Sequence, residues 1–418
     1  KKPRPPPEHE LASWHGAFHN PAVSQASPHS VVAHYEGAFD DDAISGWATD
    51  LRSQLEADTV SLGLVYMAPR FFEHAKVILE ILRVNARVPL LAGCSSQGLI
   101  FNEREIEDDA GIVLALYDLP GAELCAMQFE QGDLEDAEDA GYWHDKANGL
   151  DVNGWLVFAD PFHLDAEKWL RQWNEAWANK PILGGLASAG PGATGTQVYL
   201  NGEVLEEGAV AIGVGGAVDL RGVTSQGCTP IGQTWTITES DHNIIHTIGN
   251  RNAYEVLVET FDGLPAEEKE KAKGNMFVGL VTNEYREDFG RGDFLIRNLL
   301  GADDQAGAIA VGAFPRAGQT MQFQRRDAQA AGEDLAALLN TVKADLADAP
   351  VLGGVLCCCN GRGRHLFGAP DHDASMVQSE LGPLGLAGFF CNGEIGPVGG
   401  RNFLHGYTAS LALFVGRK

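Results

Sequence analysis

Positive charge is scarce in this chain of 418 residues. Lysine and arginine together number 30, against 57 aspartates and glutamates, which gives a formal net charge of −27. Such a field repels phosphate backbones and anionic lipid surfaces. We therefore expect no nucleic-acid partner and a solvated acidic surface.

Long apolar runs, a disulfide framework and common catalytic motifs are absent as well. No apolar run approaches the roughly eighteen residues of a membrane span, so no membrane insertion is expected. The seven cysteines are odd in number and three of them are adjacent, which fits a reducing, intracellular compartment and a soluble protein. There is no phosphate loop, no His-Glu-x-x-His and no Gly-x-Gly-x-x-Gly after a first strand, so common nucleotide and protease chemistries are not indicated.

The first 32 residues have no apolar signal core. Their opening, Lys1 to Pro7, is rich in proline and predicts a disordered or extended lead-in over residues 1–32. We expect the cytoplasm as the compartment. Because the sequence does not begin with methionine, the alternative is the chloroplast stroma or another organelle after removal of a transit peptide.

What is present is a recurring unit of strand, polar turn, helix and a second, proline-initiated strand containing glycine. It occurs over residues 62–93, 155–185 and 354–388, and each copy is followed by another apolar strand, at 111–117, 209–214 and 410–415. A weaker partial copy is read at 307–312. The pattern predicts an α/β fold with mixed β-sheets covered by helices.

Chain length favours two domains, each large enough for its own core. We place them at 33–235 and 236–418, joined face to face with a cleft between them. The helix prediction is firmest over 165–177, where Trp169, Trp173 and Trp177 fall at helical spacing after Asp165. These tryptophans are read as core packing.

Several glycine-framed polar clusters end apolar strands. Pro89 to Gly98 contains Cys94, Ser95 and Ser96; 181–188 ends on Ser188. Glycine lets the backbone approach a ligand, and hydroxyls and backbone N–H groups can bind one, so these strand ends are candidate binding residues. Cys94-Ser95-Ser96 also resembles a nucleophile turn, but no base can be assigned to it.

The third copy adds charge that the others do not have. Gly361-Arg362-Gly363-Arg364 either offers two forked donors to a carboxylate or phosphate or forms a turn whose arginines satisfy nearby acids. Glu394 follows Asn392 in an apolar segment, so it must be neutral, paired with Arg362, Arg364 or Arg401, or bound to a ligand ammonium. His405 is either a hydrogen-bonded core residue or a ligand contact.

These stretches resemble the FIST family of predicted small-ligand sensory proteins. Gly388 to Pro397, followed by an Asn-x-x-His-x-x-Thr segment, looks like its C-terminal half, while 89–98 and 181–188 look like its N-terminal half; 227–232 and 294–299 also fit. The resemblance covers residues 33–416. It implies a ligand-sensing role, amino acids as a ligand class, and, in some members, a haem-dependent nitric-oxide sensor.

The three adjacent cysteines do not form a metal site. Alternate side chains of a strand lie on opposite faces, so at most Cys357 and Cys359 share one, and the spacing to Cys94 and Cys391 is not that of a metal motif. We expect no metal and no cofactor, with haem at His405 kept as an alternative.

We predict a sensor that binds a small polar metabolite, anionic or zwitterionic, in the interdomain cleft, and we assign it no reaction. No kinase, cyclase or DNA-binding module is visible, so we expect the signal to leave through a separate partner protein. The alternatives are a haem sensor, a cysteine- or serine-dependent enzyme, and a ligand-free scaffold. The predicted contacts are Cys94, Ser95, Ser96, Ser188, Arg362, Arg364, Asn392, Glu394 and His405.

Overall fold

A computed structural model describes residues 28–108, 110–190, 192, 195–286 and 288–417. The predicted α/β class with mixed sheets and helical cover is confirmed, and the recurring units are visible as three copies of one topology. Most of the predicted lead-in over residues 1–32 lies outside the described residues.

The first unit runs from residue 30 to residue 117. Its elements are β1 Ser30–Tyr35, α1 Asp41–Gln54, β2 Leu62–Met67, a 3₁₀ turn Pro69–His74, α2 Ala75–Asn85, β3 Leu91–Ser95, β4 Leu99–Phe101, β5 Arg104–Ile106 and β6 Ile112–Tyr117. β2 and β3 are parallel, and β6 lies antiparallel between β2 and β1.

The second unit repeats this order. Its elements are β7 Ala122–Phe129, α3 Gln131–Asp136, α4 Ala140–Lys146, β8 Val152–Ala159, α5 Ala166–Ala176, β9 Ile182–Leu186, β10 Val198–Leu200, β11 Glu203–Leu205 and β12 Ala209–Gly216. The predicted helix is confirmed: the Asp165 carboxylate caps it by accepting from the Lys168 N–H at 2.9 Å. Trp169 and Trp173 are buried in the core, as expected.

The third unit is split by an insertion. It begins with β13 Val218–Ser225 and resumes with α8 Ala328–Leu346, β22 Val351–Cys359, α9 Gly363–Phe367, α10 His372–Leu381, β23 Leu386–Cys391, β24 Glu394–Val398, β25 Arg401–His405 and β26 Ala409–Gly416. β13 pairs with β26 along its whole length. The strand before the proposed boundary at residue 235 therefore belongs with strands after it.

The insertion is a small antiparallel barrel. Its elements are β14 Cys228–Pro230, β15 Trp235–Asp241, β16 Ile244–Ile248, β17 Arg251–Asn252, α6 Ala253–Asp262, α7 Ala266–Ala272, β18 Met276–Val281, β19 Phe294–Asp303, β20 Ala308–Val311 and β21 Thr320–Arg326. The order β21-β15-β16-β20-β19-β18 closes because β18 also pairs with β21. The partial copy read at 307–312 is wrong as a repeat, since β20 is a strand of this barrel.

The three units exchange hairpins in a closed cycle. The β4–β5 hairpin of the first unit pairs with β23 of the third, the β24–β25 hairpin of the third pairs with β9 of the second, and the β10–β11 hairpin of the second pairs with β3 of the first. We call these interlocked units the ring. The exchange brings the ends of β3, β9 and β23 together, which positions the polar strand ends predicted from the sequence.

One glycine in the second parallel strand of each unit explains the recurring motif. A Cβ at Gly93, Gly184 or Gly388 would lie 1.7, 1.9 or 1.9 Å from a carbonyl oxygen of the neighbouring parallel strand. No side chain fits at that distance. The recurrence of glycine at these strands is therefore a packing requirement.

Candidate functional site

The serines at the strand ends hold the ring together. The Ser96 and Ser188 hydroxyls lie 3.2 Å apart, and both donate to the Phe390 carbonyl, at 2.7 and 2.6 Å. Ser95 donates to the Ser188 carbonyl at 3.1 Å. All three serines are fully buried, so their hydrogen bonds join the three units.

No catalytic arrangement surrounds the predicted nucleophile turn. The partners of the Ser96 hydroxyl are carbonyl oxygens, one backbone N–H and the Ser188 hydroxyl, none of which is a base. Burial raises the pKa of the neighbouring Cys94 thiol well above its usual value, with a smaller contribution from Cys357. Neither residue is activated for nucleophilic attack.

The two arginines of the glycine-rich turn contact nearby acidic residues. Arg362 is fully buried and forms a two-pronged pair with Asp373, at 2.6 Å from Nε to Oδ2 and 2.9 Å from Nη2 to Oδ1. Although burial opposes ionisation of Asp373, this pair holds the pKa of that carboxyl below its ordinary value. The backbone N–H of Arg364 binds Glu107 at 2.8 Å and its half-exposed side chain lies beside Asp108.

Glu394 receives no guanidinium from these arginines. The Thr408 N–H donates to one carboxylate oxygen at 2.9 Å, and the Cys391 thiol donates to the other at 3.2 Å. The side chain is fully buried, and this burial raises its pKa to about 8. Of the possibilities open for this carboxyl group, the structure favours a neutral, hydrogen-bonded acid.

Asn392 and His405 lie in different places. The Asn392 amide oxygen accepts from Asn360 at 2.8 Å beside the joined strand ends. His405 lies 3.0 Å from the Gly396 carbonyl through Nε2, which must carry the hydrogen because a carbonyl can only accept. Its Nδ1 is buried and has no partner in the structure. Burial, with the charge of Arg297 second, lowers the pKa of His405 to about 3.

His405 lines a cavity between the barrel and the ring. The cavity has a volume of about 170 Å³. The polar and aromatic residues that line it and bear on its chemistry are Gln226, Cys228, Arg297, Arg326, His405 and Tyr407. Burial keeps the Cys228 thiol protonated by raising its pKa to about 12. The exposed carboxylate of Glu167 also lines the cavity, so its charged groups are two arginines and one carboxylate, with no thiolate among them.

Arg326 is a residue of this cavity that the sequence analysis did not single out. It ends β21 and is 8% exposed. One guanidinium nitrogen donates to the Gly361 carbonyl at 3.3 Å, and the guanidinium carbon lies 4.5 Å from the centre of the Tyr407 ring. The Nε atom is buried and has no hydrogen-bond partner in the described part of the chain. Among the described residues, no carboxylate oxygen lies within 4.0 Å of the Arg326 guanidinium, the distance that defines an ion pair.

Arg297 is the second cation. It lies in β19, within the 294–299 stretch whose pattern the sequence had singled out, and its guanidinium donates to the Ile296 carbonyl at 3.0 Å. Burial lowers the pKa of both Arg297 and Arg326. Burial disfavours the charged form of both groups, so an anion would stabilise them.

Comparison with known proteins places this arrangement in a family. The FIST N domain matches residues 61–251 and the FIST C domain matches residues 253–397. The chain belongs to the FIST family. FIST domains are sensory domains, and the resemblance seen in the strand-end motifs is thereby confirmed.

Mycobacterial FIST relatives share most of this chain. An uncharacterized protein of Mycobacterium tuberculosis is 36% identical over 368 residues, which is 88% of this chain and 94% of the relative. An uncharacterized protein of Mycobacterium bovis is 35% identical over 370 residues, with the same coverage. Within the part of the FIST chain that the structure describes, no helix is long and apolar enough to cross a membrane.

The cavity does not fit the haem of some FIST proteins. Its 170 Å³ corresponds to roughly six water molecules at their liquid volume, far less than a porphyrin. The Nε2 of His405 is already bound to Gly396, and the ring is 4% exposed. Over the described ranges, no group of three or more histidine, cysteine, aspartate or glutamate side chains could hold a metal ion.

Proposed function

We propose that this FIST protein senses a small anionic or zwitterionic metabolite, which binds in the cavity between the barrel and the ring, and that it signals through a separate partner protein. The observation that carries the proposal is Arg326. The Arg326 residue is 8% exposed, its Nε has no hydrogen-bond partner and its guanidinium has no ion-pair partner among the described residues, and it lines this cavity.

A bound anion would remove a specific electrostatic penalty. Burying a charge without a counter-charge costs on the order of several kcal/mol, even after the protein has relaxed around it. A carboxylate or phosphate matches the planar fork of an arginine and would offset that cost. The neighbouring Arg362 does not need it, because Asp373 already pairs with Arg362.

The cavity also limits ligand size and leaves room for a zwitterion. Its volume admits a molecule of a few carbon atoms. The exposed carboxylate of Glu167, at the start of α5, lines the same cavity and could receive an ammonium group. In this proposal, other predicted contacts support the cavity structurally and do not bind the ligand. They are the serines at the strand ends, Glu394 and the Arg362–Asp373 pair.

Thermal unfolding and titration calorimetry with a panel of small acids test the proposal. A ligand at 100 times its Kd stabilises the folded state by about 2.7 kcal/mol, which is a readily measured shift in Tm. Arg326→Gln should weaken binding at least tenfold. Arg316→Gln, which changes an exposed arginine of the same barrel, should leave it unchanged.

Two results would contradict the proposal. One is a panel in which no carboxylate, amino acid or phosphate stabilises the protein. The other is binding that Arg326→Gln and Arg316→Gln reduce equally, since that would indicate a non-specific charge effect. Pull-down of partner proteins with and without a ligand found in this way would test the signalling step against a ligand-free scaffold.

A further inference from the structure

We propose that the ligand is a short dianion with an anionic group at each end, of the dicarboxylate class, and not an amino acid. This rests on the proposed function above, because it concerns the same cavity. The inference comes from the placement of two cations, the buried Arg326 and the partly exposed Arg297, at separate positions on the cavity wall.

The strand register separates Arg297 from Arg326. Val278 of β18 pairs with Arg297 on one side and with Phe323 on the other. Arg326 is three residues beyond Phe323 on β21, so the two arginines are about 10 Å apart along the strands and about 9.5 Å apart across them. Their Cα atoms therefore lie roughly 14 Å from each other by strand geometry. Both residues nevertheless line one cavity.

Different neighbours surround the two cations. Arg326 is held by the Gly361 carbonyl and the Tyr407 ring, and it pairs in register with Cys228. Arg297 lies close enough to His405 for its charge to act on that ring. The cavity thus has two cationic ends, one at Arg326 and one at Arg297.

Two negative groups on the ligand would balance the two arginines that line the cavity. No ion pair joins either guanidinium to a carboxylate in the described ranges, and His405 is neutral. Glu167, which lines the same cavity and acts on Arg297 from a longer distance, is exposed, so solvent screens its charge. A monocarboxylate would leave one of the two arginines without a close anionic partner. An ammonium group would add a third positive charge, and its counter-charge, Glu167, is exposed to solvent at the rim.

The volume sets the spacing of the anionic groups. About 170 Å³ accommodates two carboxylates on a short spacer and little more. Four- and five-carbon dicarboxylates are therefore the appropriate probes.

Calorimetric titration with matched acids tests the charge of the ligand. The probes are succinate and glutarate as dianions, butyrate as the monoanion of succinate's length, and aspartate as the amino derivative of succinate. We expect the wild-type protein to bind succinate or glutarate at least tenfold more tightly than butyrate or aspartate. Arg297→Gln should reduce this preference over butyrate to less than threefold, Arg297→Lys should restore part of it, and Arg316→Gln should leave it intact.

The outcomes separate this inference from the proposed function. If butyrate or aspartate binds the wild-type protein as tightly as the dicarboxylates, and Arg326→Gln abolishes that binding, the cavity is a ligand site and the dianion inference is wrong. An unchanged preference in folded Arg297→Gln also overturns it. If no acid of any charge binds, both are overturned. The wild-type series decides the question even if a variant fails to fold.

Discussion

Replacing Glu394 with glutamine should make the protein less sensitive to pH. The carboxyl group is fully buried, it is held by Thr408 and Cys391, and its pKa is raised from 4.5 to about 8. An acid with a raised folded-state pKa stabilises the fold fully below its unfolded pKa. That contribution is lost as the pH rises through the folded pKa.

The size of the effect follows from the width of this window. Each pH unit between 4.5 and 8 lowers the wild-type free energy of unfolding by about 1.4 kcal/mol through this group, so on the order of 3 kcal/mol is lost between pH 5 and pH 7.5. Glutamine is neutral at every pH and its carbonyl can still accept from Thr408. The difference in free energy of unfolding between Glu394→Gln and the wild type, called the gap below, should therefore shift by that amount in favour of the variant.

Urea unfolding followed by circular dichroism at pH 5, 6, 7 and 7.5 measures this gap. Glu105 has its pKa raised to about 7 and His405 has its pKa lowered to about 3, so both also affect the wild-type curve, but they cancel in the difference between the two proteins. Glu206→Gln, at an exposed position, is the matched control and should show a constant gap. A constant gap for Glu394→Gln would refute the reasoning, because it would mean that Glu394 is ionised and paired in the folded state.

The remaining predictions concern stability. Arg362→Met should cost about 3–5 kcal/mol in urea unfolding, because Asp373 is then left buried without a partner. Adding Asp373→Asn should recover part of that loss, and two additive losses would argue against the pair. Gly184→Ala should prevent stable folding, because its Cβ would lie 1.9 Å from the Val157 carbonyl oxygen; Gly46→Ala, exposed in α1 with nothing within 4 Å of the added Cβ, should instead raise stability by about 0.5–1 kcal/mol. Thermal unfolding of the two variants compares them directly, and a well-folded Gly184→Ala protein would contradict the packing argument.

Local patterns predicted the recurring strand, helix and strand of the three units because these elements are close together in sequence. The helix after Asp165 has a capping carboxylate and tryptophans at helical spacing, and the parallel strands have their glycines. The hairpin exchange could not be predicted in this way. β4 pairs with β23 across nearly three hundred residues, and nothing in a three-residue strand specifies so distant a partner.

The same distinction applies to the candidate site. Arg362 and Asp373 are eleven positions apart. One of the two interpretations of the glycine-rich segment 361–364 was a turn whose arginines satisfy nearby acids, and this pair fits it. Arg326 is adjacent to Arg325 in a strand, and no local feature distinguishes the two. Arg325 pairs with Glu268 and Asp327, whereas Arg326 meets the ring. Which arginine remains without a counter-charge is decided by the packing of the barrel on the ring.

The position of the insertion explains why the third unit carries the unusual charge. The barrel enters after β13 and leaves at Arg326, so the third unit buries polar groups against a second body. Arg362 is neutralised within the ring by Asp373, and Glu394 is neutral through burial. The charge left unbalanced therefore lies on the barrel side, at Arg326 and Arg297, where an anion would bridge the barrel and the ring. A ligand bound there contacts the point at which the chain passes from one to the other, which is the position from which binding can change their packing.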